Sequence, residues 1–183
     1  MPLVPVKEVP AAAGGEFEIH LDLGSIHGES SSTAHSNGIE ISSFSWGVSN
    51  SPVNTGTGAI KGGKVSMTEI TLTKFFDKAS VQLLKATATG QIFKTAKITW
   101  SKSTGGKKPE DFITITLSGV LVSSVQQSSS RSGEGMGTES VTLCFDKVNV
   151  DYKTQERTGL LISAGQMSYD LSLGKIDLSG SAK

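Results

Sequence analysis

The stretch Gly58–Val65 reads GAIKGGKV, which places a glycine, four intervening residues and Gly63-Lys64 in the spacing of a phosphate-binding loop. In such a loop backbone N–H groups cradle phosphates, a hydroxyl at the eighth position holds magnesium, and a helix beyond presents its positive end. Here Val65 occupies the eighth position, and the chain continues KVSMTEITLTKFF, rich in β-branched residues and without a 3.6-residue apolar stripe. The segment predicts a flexible loop, Pro52–Gly63, feeding a strand, and no nucleotide.

Other chemistry-bearing residues fare similarly. His20, His27 and His35 are spaced seven and eight apart, which matches neither a zinc-finger pair nor a helical i, i+4 pair. Glu29 is the sole adjacent carboxylate and no cysteine is near, so exposed or hydrogen-bonded histidines are expected, not a metal site. Serines are abundant, but no G-x-S-x-G occurs. Cys144 lies between Leu143 and Phe145 with nothing nearby to lower its pKa, so it reads as a structural thiol. Glu110 and Asp111 are adjacent, and neighbours on an extended chain point apart. Trp46 and Trp100 could stack a sugar, yet each belongs to an apolar parity set, which favours core packing. The chain therefore reads as a protein without catalytic residues or cofactor.

The elements that must position these residues are mostly strands. FEIHLDLGSI alternates, with Phe17, Ile19, Leu21 and Leu23 on one face and Glu18, His20 and Asp22 on the other. In IEISSFSWGVSN, Ile39 and Ile41 share one parity while Phe44, Trp46 and Val48 share the opposite one. Strand side chains alternate strictly, so the change requires a bend near Ser42-Ser43. The same change separates Val65 and Met67 from Ile70 and Leu72, and Val141, Leu143 and Phe145 from Val148, Val150 and Tyr152. Strands that bend hard, or that are buried on both faces, produce this pattern.

One segment differs. DKASVQLLKATATG carries Val81, Leu84 and Ala88 at helical spacing with Leu83 beside them, Asp77 or Ser80 to cap its start, and Gly90 to end it. It predicts a helix over roughly 78–89. Ile92, Ala96, Ile98 and Trp100 share a face of the next strand, and FITITLSGVLVSSVQQ is a long strand with a bend at Gly119. SSSRSGEGMG reads as a mobile loop. ESVTLCFDKVNVDYKTQ is read as a strand, and QMSYDLSLGK as another in which Met167, Tyr169, Leu171 and Leu173 alternate. Seven to nine strands and one helix make a β-barrel or compact sandwich.

A chain of 183 residues forms one domain with tails. Lys+Arg and Asp+Glu both total 17, and zero formal charge argues against a dedicated nucleic-acid binder while easing self-association. A single cysteine makes no internal disulfide. The start, MPLVPVKEVPAAAGG, lacks the uninterrupted apolar segment of about 7 to 15 residues that a secretory signal needs. No stretch approaches the roughly 20 apolar residues of a membrane span. These features lead us to expect synthesis in the cytoplasm, export without a cleaved signal, and no membrane insertion.

Several fragments go further when taken in order: SIHGES, ISSFSWGVSNS, GGKVSMTEITLTKFFDKASVQLLKATATGQ, LVSSVQ, ESVTLCFDKVNVDY and SYDLSLGK. Together they resemble the haemolysin co-regulated protein (Hcp) family, the tube subunit of the bacterial type VI secretion system. The resemblance covers about residues 16–176, with a leader over 1–15 and a tail over 177–183. It implies a mainly β fold: a closed or nearly closed barrel of two sheets with one flanking helix, assembling into a hexameric ring. Rings would stack into a hollow tube carrying effectors, with a contractile sheath and a spike protein as further partners. No catalytic residue, cofactor or metal comes with it. The resemblance also implies a ring-stacking loop formed by Val48, Ser49, Asn50, Ser51, Pro52, Val53, Asn54, Thr55, Gly56, Thr57, Gly58, Ala59, Ile60, Lys61, Gly62 and Gly63. Two other readings stand beside it: a lectin-like β-barrel binding module using Trp46 or Trp100, and a hydrolase using Cys144 or a serine.

Overall fold

The alternating segment FEIHLD forms β1 (Phe17–Asp22), and the run interrupted by serines forms β2 (Ile39–Ile41) and β3 (Ser43–Ser45). An arm follows, made of β4 (Val48–Asn50), β5 (Val53–Asn54), β6 (Ile60–Lys61) and β7 (Val65–Met67). β8 (Ile70–Phe75) then leads into α1 (Ala79–Thr89). Next come β9 (Ile92–Lys102), the 19-residue β10 (Glu110–Ser128), β11 (Thr138–Cys144) and β12 (Lys147–Gln155). β13 (Leu161–Asp170) and β14 (Lys175–Asp177) end the series. The computed structural model describes residues 17–54, 56, 60–106, 108–130 and 137–177. The expected leader, the expected tail apart from Asp177, and residues 131–136 of the glycine–serine loop lie outside the described residues.

β10 is the spine. On one side it pairs with β9 as far as Leu121; on the other it pairs with β12 before Gly119 and with β11 beyond it. β1 joins β9 to β2, β8 joins β11 to β3, and β13 joins β12 to β14. Every one of these ladders is antiparallel. Ser42 alone separates β2 from β3, and its N–H donates to Thr73 O at 2.8 Å. Residues 39–45 thus pass from β1 in one half to β8 in the other, at the parity change read from the sequence. The ten-stranded sheet nonetheless has open ends at β2, β3 and β14, so the fold is mainly β with one helix and its strand order does not close.

The core lies between the two halves, with Leu21, Ile39, Ile70, Leu72, Ile98 and Leu143 essentially inaccessible. Each such side chain contributes about 1.5–3 kcal/mol relative to exposure. Trp100 belongs to this core and meets the Phe44 ring edge-on at 4.8 Å, while the half-buried Trp46 meets Phe145 at 6.3 Å. Both tryptophans are packing residues.

Four expectations need correction. The helix forms one residue inside its expected start, but Val81, Leu84 and Ala88 face solvent. Ala79, Ser80, Leu83 and Ala86 are the buried set, because α1 lies on β10 through small residues that let it approach closely. Its entry is fixed by Asp77, whose Oδ1 accepts from Ala79 N–H at 2.9 Å, and Gly90 closes its end in the left-handed conformation. Ile92 is exposed and Phe93 takes its place in the core. ESVTLCFDKVNVDYKTQ is one path broken at Phe145-Asp146 into β11 and β12. Finally, β13 starts at Leu161 and stops at Asp170, where the carboxylate accepts from Ser172 and Leu173 N–H and turns the chain, so Leu171 and Leu173 do not continue its alternation.

Candidate functional site

The expected stacking loop is a paired arm. β4 runs against β7, with Val48 opposite Met67 and Asn50 opposite Val65. Farther out β5 runs against β6, with Val53 opposite Lys61. At the base, Thr68 exchanges hydrogen bonds with Gly47: its N–H donates to Gly47 O, and its Oγ1 accepts from Gly47 N–H, both at 2.9 Å. Between the ladders Ser51 N–H donates to Lys64 O at 3.2 Å, and Gly63 N–H donates to Asn50 Oδ1 at 2.9 Å. A Cβ on Gly63 would overlap the Ser51 carbonyl oxygen. Gly63, one of the glycines that mimic a phosphate loop, is therefore required by the close approach of the arm's own two strands.

Three apolar side chains project from this arm. Val48 and Val53 are more than half exposed, and Ile60 is 79% exposed. Thr55, Thr57, Gly58 and Ala59 of the expected loop lie outside the described residues. A two-stranded ribbon is marginal by itself, and apolar residues at such a position ask for a partner surface.

The other sequence candidates are distributed as follows. His27 is exposed, whereas His20 and His35 come together as stacked rings with centroids 4.8 Å apart. His20 Nε2 lies 3.0 Å from Ser30 Oγ, and His35 Nε2 lies 2.7 Å from Asp111 Oδ1. Glu110, beside Asp111, instead accepts from Thr104 Oγ1 at 3.0 Å. Among the described residues no group of three or more His, Cys, Asp or Glu could hold a metal ion. Cys144 donates its thiol to Glu69 Oε1 at 3.0 Å, and that hydrogen bond, with burial and the Glu69 charge, pushes its pKa up to about 11. A thiol so held is the opposite of an activated nucleophile.

One cluster was not anticipated. Lys74 on β8 and Glu139 on β11 are directly opposite in register, both fully buried, and joined at 2.7 Å. Lys74 Nζ also reaches Asp77 Oδ1 at 2.8 Å and Phe75 O at 2.6 Å. Glu139 accepts from Ser80 Oγ at 2.7 Å and from Gln127 Nε2 at 2.5 Å. Burial alone would raise the Glu139 pKa, but the hydrogen bonds from Lys74, Ser80 and Gln127 outweigh it and hold the carboxyl below its ordinary value. The network ties β8, β11 and the entry to α1 together. The signal was present in the sequence: Lys74 shares parity with Ile70 and Leu72, and Glu139 with Val141 and Leu143. Opposite charges on two core-facing registers mark a buried pair.

Comparison with known proteins gives this geometry its context. The family described as the type VI secretion system effector Hcp matches residues 20–152. Protein hcp1 of Pseudomonas aeruginosa is 37% identical over 142 residues, spanning 78% of this chain and 86% of that protein. A solved structure described as a type six secretion system protein superposes with a TM-score of 0.82 at 29% identity, covering 88% of this chain and 100% of that one. Hcp1 from Salmonella typhimurium superposes with a TM-score of 0.67 at 27% identity, over 88% of this chain and 99% of that one. By the family match over residues 20–152 and the curated relative alike, the chain belongs to the Hcp family of type VI secretion system proteins.

Proposed function

We propose that this chain is a tube subunit of a type VI secretion system. Its domain, residues 16–176, closes into a barrel through the 39–45 segment and assembles as a hexameric ring. Rings stack through the arm Val48–Gly63, and the resulting tube carries effectors, with a contractile sheath and a spike protein as partners. The protein leaves the cytoplasm without a cleaved signal and without membrane insertion; among the described residues no helix is long and apolar enough to cross a membrane. The leader 1–15 and the tail 177–183 flank the domain.

The observation that carries this reading is the arm. Its described residues are paired in two ladders yet present Val48, Val53 and Ile60 to solvent. A heterologous contact with the next ring supplies the missing cover, and head-to-tail contacts of that kind propagate into open tubes. Zero formal charge removes the long-range repulsion that would oppose such packing.

The test is the native mass in solution, followed by negative-stain microscopy of the same peak. Six chains of 19.1 kDa give a ring of about 115 kDa, seen as annuli and short tubes. A discrete monomer with no annuli at high protein concentration overturns self-assembly as a property of the chain alone.

A further inference from the structure

Residues 24–38 form a loop folded over the outer face of the sheet. It is internally tied: Gly28 N–H donates to Asn37 O at 2.9 Å, and Asn37 N–H donates to Ser30 O at 3.0 Å. It is pinned to the sheet at three places. His35 reaches Asp111 on β10, Ser30 meets His20 on β1, and Ser32 Oγ donates to Glu18 Oε2 at 2.8 Å. At its other side Glu29 accepts from Lys78 N–H at 3.1 Å, so the loop also touches the start of α1. Thr99 and Ser101, polar residues of β9, are both buried, and His35 of the loop meets Thr99.

We propose that this loop is an acid-released latch, held shut by the stacked imidazoles of His20 and His35 and freed when the buried His20 ring takes up a proton. His35 is anchored to Asp111 at 2.7 Å. A charge on His20 does not fit. His20 is almost wholly buried, and its Nδ1 has no hydrogen-bond partner. The neutral ring is suited to this place, since Nε2 pairs with Ser30 Oγ and Nδ1 needs no acceptor in the tautomer that leaves it unprotonated. A protonated His20 would bury an N–H at Nδ1 that no protein group accepts, with its ring stacked 4.8 Å from that of His35.

The charges around His20 are finely opposed. Glu18 on β1 lies 4.0 Å from its Nε2, and Glu40 on β2 and Asp111 on β10 also favour the charged form. Burial, then the charge of His35, act against it and win, so His20 sits below its ordinary 6.5. β9 offers only hydroxyls to the cluster, with Thr99 Oγ1 3.4 Å from His35 Nε2. The closed loop is thus fully favoured above pH 6.5 and loses that support as pH falls through the lowered value. A cavity of about 290 Å³ beside the loop is lined by His20, Asp22, His27 and His35.

Hydrogen exchange of the full-length protein at pH 7.5 and 5.5, corrected for the intrinsic pH dependence of exchange, tests the proposal. The amides of Gly28, Ser30, Asn37 and Gly38 should exchange at least tenfold faster at the lower pH, with those of β9 and β10 unchanged. His20→Phe keeps a ring against His35 and removes the titrating group, so in this variant the loop should stay protected at both pH values. Unchanged loop protection in the unmodified protein overturns the latch, as does opening that persists in His20→Phe. Joint loss of loop and strand protection also overturns it, since that is global unfolding. Should His20→Phe fail to fold, the His20 ring resonances decide: their titration must coincide with loop opening, and a mismatch sinks the proposal.

Discussion

Gly119 and Asp146 meet across the bend of the sheet so closely that a Cβ on Gly119 would overlap the Asp146 carboxylate. Gly119 adopts φ +63°, and Asp146 N–H donates to Ser118 O at 2.9 Å. β10 therefore turns at the same point at which the opposing path breaks between β11 and β12. Two adjacent strands bend as one, and this carries the sheet from one half of the core to the other.

Gly119→Ala is accordingly expected to destabilise the fold by about 2 kcal/mol, combining a left-handed backbone with a steric clash. Urea denaturation should show the lower midpoint at an unchanged slope. Asp146→Gly in the same chain should restore the steric share and leave the backbone share. A loss smaller than about 0.5 kcal/mol in the single variant removes the joint-bend account.

The Lys74–Glu139 pair makes a second prediction through its burial. Lys74→Met leaves the Glu139 charge buried and uncompensated, with an expected loss of about 3–5 kcal/mol. Lys74→Met with Glu139→Leu replaces the pair by apolar groups and should be more stable than either single variant. Thermal unfolding of the four proteins measures the coupling. Additive losses would mean the two side chains act independently.

The same network sets an acid limit. Glu139 is held below its ordinary 4.5, so its contribution is complete above pH 4.5 and is lost as pH falls through the lowered folded value. Between pH 6 and 3 the unmodified protein should lose stability more steeply than the Lys74→Met, Glu139→Leu double variant. Parallel pH profiles would remove this carboxyl from the acid response.

How much of this was legible in the sequence depends on the range of the interaction. The alternation of β1, the bends at Ser42 and Gly119, and the existence of α1 are local patterns, and each was readable. The buried face of α1 was not, because Val81–Leu84–Ala88 and Leu83–Ala86 are both acceptable stripes and only docking chooses between them. The pairing of the arm was hidden by its Ser, Thr, Asn and Gly content, which carries little strand signal. The His35–Asp111 contact joins residues 76 apart in the chain, and no spacing rule reaches that far. The buried Lys74–Glu139 pair was within reach, since the parity of both residues gave it away.

Cys144 provides a chemical check on the electrostatics. With its pKa pushed up to about 11 by Glu69, the thiolate fraction at pH 8 is about 100-fold lower than at the ordinary 9.0. Iodoacetamide should therefore alkylate the folded protein slowly. Glu69→Gln removes the charged acceptor and should speed alkylation by about tenfold. An unchanged rate would mean that access, not Glu69, controls the thiol.

The arm carries the prediction closest to function. Ile60 is the most exposed apolar side chain among the arm's described residues, and Ile60→Asp places a charge where a neighbouring ring is proposed to seat. Ring assembly and ring stacking then separate: the native mass should remain that of the ring, while tubes disappear from micrographs. Shortening Gly56–Gly63 should act in the same direction by removing reach. The ten-stranded sheet should not notice either change, because β4 to β7 form two small ladders outside it. Circular dichroism and the melting temperature should thus match the unmodified protein. Tubes that form equally well after both changes would detach stacking from the arm, whereas loss of the ring itself would move the arm to the contact between subunits of one ring.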